Sequence, residues 1–358
     1  MQQRKKINFE GQNIYIGIDV HLKNWSVTTI TQSGYKKTHS QNSSARELFE
    51  HLRKHYPGGK YLAVYESGFT GFSTYYALKE YGIDCMVIHA ADVPTTQYES
   101  VMKSDSMDSD KLAKALKTGT LKGIYVHRRE NLDARGVVRL RKTLQTQLGG
   151  YKSRVKHLLY NNGIVFPKCF AGKSTHWSKR FMRWLREDVI LLSSTRTSLD
   201  LLLDQVELFR KNLLNATRQI RALSRSEHYA RTYENLTSIP GIGMLTGMSL
   251  LTEIDDVERF HNEKQFASYL GLVPTSHNSG EKIANGEKTF RGNKLLGPMI
   301  VESAWTMIRH DSVMAAAYGE YCKRMKSQEA VIRIARKLSN RILKILRSGQ
   351  KYEYDRCH

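Results

Sequence analysis

Proline is scarce in this 358-residue chain, with six in all. Average usage would give about three times as many. Chains this poor in proline keep long helices, because proline removes a backbone donor and collides with the preceding turn. Cysteine is scarcer: Cys85, Cys169, Cys322 and Cys357 are too far apart to form a CxxC pair. That spacing argues against a structural zinc or a disulfide framework and fits a reducing, cytoplasmic setting. No stretch reaches the ~18 uncharged apolar residues of a membrane span. The first thirty residues are broken by charges, so no signal peptide is expected. Acidic residues are outnumbered, 34 Asp+Glu against 56 Lys+Arg, and the formal net charge is +22. An excess of that size points to a polyanionic partner, of which nucleic acid is the commonest for a soluble chain. What remains is ordinary globular composition, 40% hydrophobic and 25% charged.

The chain reads as α/β followed by α. Asn13–Val20 and Trp25–Thr31 alternate apolar and polar residues as half-buried strands do, with a turn at Ser33–Gly34. Ser43–Tyr56 has helical periodicity, Tyr61–Tyr65 is a short apolar strand, Thr70–Tyr81 a helix, Asp84–His89 a strand, and 105–117 a closing helix. Three meandering strands followed by alternating helix and strand match the element order of a ribonuclease-H-like layer, here spanning residues 1–130. Residues 131–228 carry heptads. Val137, Leu144, Tyr151 and Leu158 recur every seven residues, and so do Leu192, Leu199, Val206, Leu213 and Ile220. Such seams suit either an antiparallel hairpin within the chain or a dimer interface. Residues 229–358 form a mostly helical third region, with helices near Leu295–His310 and Gln328–Arg347 and a polar, glycine-rich loop over Gly271–Gly292.

Four acids stand where chemistry would want them. Asp19 and Glu66 end apolar strands, although aspartate is depleted in strands. Asp105 and Asp108 lie at i and i+3, on one face of a first helical turn, where acids also serve as ordinary caps. Four converging carboxylates repel one another unless divalent cations lie between them, and two Mg²⁺ ions so held suit phosphodiester chemistry. Asp110 is a rival to Asp108, since the two cannot share a face. The turn Ile239-Pro240-Gly241-Ile242-Gly243 resembles the hairpin of a helix-hairpin-helix module, whose Gly241 and Gly243 would offer backbone N–H groups to a phosphate. Ser279, before Gly280, could project from a tight turn with Lys282 and Arg291 nearby, and Ser276 competes with it. An acid-free basic run, Arg135, Arg139, Arg141, Lys142, Lys152, Arg154 and Lys156, suits phosphate contacts. Trp177 and Trp184 follow in a basic linker; they suit either base stacking or core packing.

As an ordered set these residues resemble the DEDD-type insertion-sequence transposases with a catalytic serine in a C-terminal transposase domain, recombinases guided by a bridge RNA. The likeness runs from Tyr15-Ile-Gly-Ile-Asp19-Val-His through Tyr65-Glu66-Ser-Gly and Lys103-Ser-Asp105-Ser-Met-Asp108. It continues through Ile239–Gly243, Tyr269-Leu-Gly-Leu-Val-Pro274, Ser279-Gly280 and Gly292-Asn293 to Ala335-Arg-Lys-Leu338. The resemblance implies an N-terminal domain similar to Holliday-junction resolvases, with Mg²⁺ held by Asp19, Glu66, Asp105 and Asp108. It also implies a covalent phosphoserine link to DNA at Ser279, a guide RNA as partner beside DNA, and assembly as a homodimer or homotetramer with composite active sites. The sequence departs from the family pattern at Ser109, where alanine is usual, and at Gly297, where an arginine is usual. A metal-dependent junction nuclease without a covalent step, or a non-catalytic nucleic-acid-binding scaffold, are the competing readings.

Overall fold

The computed structural model describes residues 8–93, 105–279, 282–288 and 292–353, with side chains over that range except at 274–288. The chain forms two compact units, Met1–Val126 and His127–His358.

The first unit is a five-stranded mixed sheet with helices on it. Its strands are β1 (Asn13–Val20), β2 (Asn24–Thr31), β3 (Lys36–Asn42), β4 (Lys60–Glu66) and β5 (Asp84–Ile88), in spatial order β3-β2-β1-β4-β5. The three meandering strands pair antiparallel, while β4 joins β1, and β5 joins β4, in parallel. Helices α1 (Ala45–His55) and α2 (Ser73–Glu80) supply the crossovers. Ser44 caps α1 by accepting from the Glu47 amide, which satisfies one orphan donor of the first turn. Apolar residues at alternate positions of β1 (Ile14, Ile16, Ile18) are fully buried against Leu48, Leu52 and Leu78.

Helix α3 (Asp105–Thr118) packs on β1 and β2, and one glycine makes that possible. A Cβ built at Gly17 would lie 2.0 Å from the Ser109 carbonyl oxygen and 2.5 Å from the Ala113 nitrogen. Ser109 is buried, its hydroxyl 3.2 Å from that of Ser26 and 2.9 Å from that of Thr28. The serine that replaces the expected alanine therefore has hydrogen-bonding neighbours on the sheet.

The second unit is helical. Its long helices α4 (Arg129–Asn161) and α6 (Ser193–Leu223) pack against each other, with the short α5 (Lys179–Glu187) joining their core. The heptad residues Leu199 and Val206 are buried in this cluster with Leu148 and Val155 of α4, and Tyr151, Leu158 and Leu213 pack against it. The seam is thus satisfied within the chain, and it begins at Leu199; Leu192 is 84% exposed. Trp177 and Trp184 belong to the same core, where Trp184 packs on the rings of Phe166, Phe170 and Phe181.

A separate core unites α7 (Ala230–Thr237), α8 (Met244–Ile254), α9 (Glu263–Tyr269), α10 (Leu296–His310), α11 (Ser312–Cys322) and α12 (Ser327–Ser348). Helix α11 adds to the two helices expected at this end; Asp311 caps it by accepting from the Met314 amide at 2.9 Å. The Gly271–Gly292 segment is not the plain loop its composition suggests. It holds a β-hairpin, β6 (Pro274–Ser279) with β7 (Lys282–Lys288). Its strands are polar, so no hydrophobic alternation marks them in the sequence.

Candidate functional site

Strand β1 ends at Asp19-Val20, and the chain turns tightly through His21 into β2, with the His21 amide donating to the Asn24 carbonyl. That turn brings the His21 ring back over Asp19: Nε2 lies 3.1 Å from Asp19 Oδ2 and 3.5 Å from Asp105 Oδ2. Asp105 arrives from a distant part of the sequence because α3, lying on Gly17, starts beside the end of β1. Asp19, His21 and Asp105 each offer a ligand atom, and all three atoms lie within 4.8 Å of one another. Two carboxylates and an imidazole are donors that divalent cations accept, the imidazole favouring Mn²⁺ or Zn²⁺ over Mg²⁺.

The electrostatics concentrate negative charge at this point. Burial pushes the Asp19 carboxyl above its usual range; His21 opposes this, while the charges of Asp105 and Asp108 add to it. Asp108, half-buried one turn along α3, is therefore within electrostatic reach. Glu66 ends β4, one residue beyond the Ile18–Tyr65 pair of the parallel ladder, so the register sets it level with Asp19 on the neighbouring strand. It is not among the three residues whose ligand atoms cluster. Asp110 turns to lysines, 3.2 Å from Lys36 Nζ and 2.8 Å from Lys114 Nζ. His21 stands in the Asp19-Val-His run of the sequence, but nothing there marks it as a donor. Its role depends on the β1–β2 turn.

In the second unit the candidates divide. Gly241 has φ +88° and fits against α10, where a Cβ would meet the Ser303 carbonyl oxygen at 2.3 Å. Gly243 is exposed and precedes α8 without a side-chain cap, so it satisfies none of that helix's first N–H groups itself. Arg135 and Arg139 have an internal partner: Glu253, fully buried at the end of α8. Arg139 Nε and Nη2 lie 2.6 and 2.9 Å from its two carboxylate oxygens, and Arg135 Nη2 is 3.1 Å away. Burial alone would raise the Glu253 carboxyl; the hydrogen bonds and charges of the two arginines hold it at about 2. Arg141 donates to Thr217 at 2.9 Å, and Lys152 lies over the Trp177 ring. Lys156 is half-buried, whereas Lys142 and Arg154 are exposed, so these two are the members of the run most open to a phosphate. Ser279 ends β6 opposite Lys282, and Ser276 lies inside the strand opposite Asn285. The side chains of Ser276, Ser279 and Lys282, and the whole of Arg291, lie outside the described residues.

Two family models match the chain. One, a transposase model of the DEDD type from the IS110 group, covers residues 16–162. The other, described as the transposase IS116/IS110/IS902 family, covers residues 233–319. By domain content the chain is an insertion-sequence transposase. Among its relatives is the provisionally named transposase y4qE of Sinorhizobium fredii, 25% identical over 82% of this chain and 71% of its own length. The transposase for insertion sequence element IS1533 of Leptospira borgpetersenii is 23% identical over 70% of this chain and 72% of its own. That for IS1111A of Coxiella burnetii is 22% identical over 60% and 57%. In this transposase the DEDD match contains all four expected acids and the basic run of α4, and the second match contains the Gly241 turn, the hairpin and Asn293. No described helix is long and apolar enough to cross a membrane.

Proposed function

We propose that this transposase cuts and rejoins DNA strands of its own insertion element, using a divalent cation at the Asp19–His21–Asp105 cluster and Ser279 as nucleophile. The observation that carries the reading is the meeting of Asp19 and Asp105, far apart in sequence, within one group of ligand atoms. Asp19 and Asp105 would hold the cation, with Glu66 and Asp108 flanking, as in a ribonuclease-H-like DEDD domain. Mg²⁺ is the ion expected from the family resemblance; the imidazole makes Mn²⁺ its natural competitor. A cation held there would supply charge neutralisation at the phosphate and stabilisation of a departing oxygen.

The chain's own groups do the rest. His21 Nε2, 3.1 Å from Asp19 Oδ2, would hold that carboxylate by a hydrogen bond in its Nε2-protonated form, or offer its lone pair to the cation in the other tautomer. The Ser279 oxygen bonds to phosphorus, one sugar–phosphate oxygen bond breaks, and the serine proton leaves with the departing sugar oxygen. One phosphodiester is exchanged for another, so rejoining by the reverse attack needs no external energy source. Exposed cations such as Lys142 and Arg154 would bear on backbone phosphates of DNA or of a guide RNA. The family resemblance supports a homodimer or homotetramer, but the heptads of α4 and α6 are used within one chain, so a dimer would form through other surfaces.

The test is a denaturing gel with labelled DNA carrying the element's ends, run with the RNA that co-purifies with the chain. Wild type should leave DNA attached to protein and Ser279→Ala should not. Adducts that survive in Ser279→Ala and vanish in Ser276→Ala would move the nucleophile. Cleavage with no adduct in any variant would favour a junction nuclease without a covalent step.

A further inference from the structure

Glu253 is a fully buried carboxylate held by side chains from two separate parts of the second unit. Arg135 and Arg139 reach it from α4. A further partner is Asn293, whose Nδ2 donates to Glu253 Oε2 at 2.9 Å and to the Tyr269 hydroxyl at 3.0 Å. That hydroxyl donates in turn to the Glu253 main-chain oxygen at 2.7 Å. Asn293 also receives the Leu295 and Leu296 amides on Oδ1, each at 3.0 Å, and its own amide donates to the Tyr269 carbonyl at 2.7 Å.

The place of Asn293 gives the network its meaning. The hairpin β6–β7 leaves the helical core after Gly271 and returns at Gly292. Those two glycines touch: a Cβ on Gly292 would lie 2.3 Å from the Gly271 Cα. The base of the hairpin is therefore closed by backbone contact, and the residue following it is bonded to Glu253. A buried carboxylate bonded by two arginines is expensive to hold if packing alone were required.

We infer that Glu253 is a positioning residue for the hairpin, fixing its base through Asn293 and tying that base to α4 through Arg135 and Arg139. The inference rests on the serine reading only for its catalytic consequence. If Ser279 attacks phosphate from the end of β6, then a nucleic acid contacting α4 bears on the same rigid piece that aims the nucleophile. A misplacement of about 1 Å at such a group costs on the order of a hundredfold in rate.

Asn293→Ser is the discriminating variant. Serine caps a helix as well as asparagine does, but it is too short to reach Glu253. The full-length chain should be compared by hydrogen exchange of peptides spanning 274–288, and by adduct yield on the labelled element-end DNA used above. Asn293→Ser is expected to speed exchange in the hairpin about tenfold or more, leave α8 and α10 protected, and cut adduct yield by at least ~10-fold with DNA affinity unchanged. Glu253→Gln should act in the same direction, and the double variant should be no worse than the more impaired single one, because both cut one link. If Glu253→Gln does not fold, Asn293→Ser alone decides. Wild-type exchange in Asn293→Ser overturns the inference whatever the nucleophile is. Faster exchange with undiminished adducts, in a chain where Ser279→Ala abolishes them, overturns its catalytic part. If Ser279→Ala keeps its adducts, the serine reading falls and the exchange result alone decides the role of Glu253.

Discussion

Gly17 and the Ser109 carbonyl are in such close contact that a β-carbon on Gly17 would lie 2.0 Å from that oxygen. The contact sets where α3 begins and therefore where Asp105 meets Asp19. Gly17→Ala should push the helix off the sheet at a cost of about 1–3 kcal/mol or more, the usual range for overpacking a core. Thermal denaturation would read the stability loss. Divalent-ion binding should fall more than it does in a core variant of equal stability cost, such as Leu48→Ala.

His21→Ala should weaken divalent-ion binding by about 10–100-fold, the range typical for removing a group that orients a ligand. Isothermal titration with Mn²⁺ and Mg²⁺ separates two roles for the imidazole. Selective loss of Mn²⁺ affinity would make it a ligand; equal loss for both ions would make it an aligning group for Asp19.

The basic run of α4 should divide under salt titration. Removing the exposed Lys142 or Arg154 by alanine substitution should each lower the slope of log affinity against log salt by about 1, without loss of stability. Arg135→Ala should instead destabilise the fold, by about 3 kcal/mol, because it strips a buried carboxylate of a partner. Equal salt slopes in Lys142→Ala, Arg154→Ala and wild type would show that the run does not face nucleic acid.

An acid-sensitive feature lies in the first unit. His39 on β3 stacks on His51 of α1 at 4.0 Å between ring centroids, and His55 follows at 4.4 Å from His51. Burial, reinforced by the neighbouring histidines, lowers His51 to about 4, and burial lowers His39 as well. A histidine lowered by folding favours the neutral form. Its contribution to stability is present above pH 6.5 and is lost as pH falls from there toward 4. The first unit should therefore lose thermal stability across that window, and His51→Phe, which keeps a ring in the stack, should flatten the profile. An identical acid slope in the variant would refute this.

The strands were legible because their alternation is local. Ile14, Ile16 and Ile18 mark β1 in the sequence and face the core in the fold. The long helices were legible from their heptads, although sequence could not say that Val155 and Val206 share one core within the chain. Asp19 and Asp105 could be singled out as acids in unusual places. His21 could not, because its part depends on the turn that folds it over Asp19. Glu253 gave no signal, since its arginine partners stand 118 and 114 residues away. The hairpin around Ser279 was hidden for the opposite reason: its strands are polar and carry no periodic apolar face.

The central claim is that Asp19 and Asp105 together hold a divalent cation that DNA cleavage requires. It is tested most directly by titrating Mn²⁺ into wild type, Asp19→Asn and Asp105→Asn while following strand cleavage of element-end DNA in the same samples. Wild type should bind the ion and cleave in proportion to occupancy, and each variant should lose both while keeping its fold and its affinity for DNA. Full cleavage by either variant, or cleavage by wild type in excess chelator, would contradict the account.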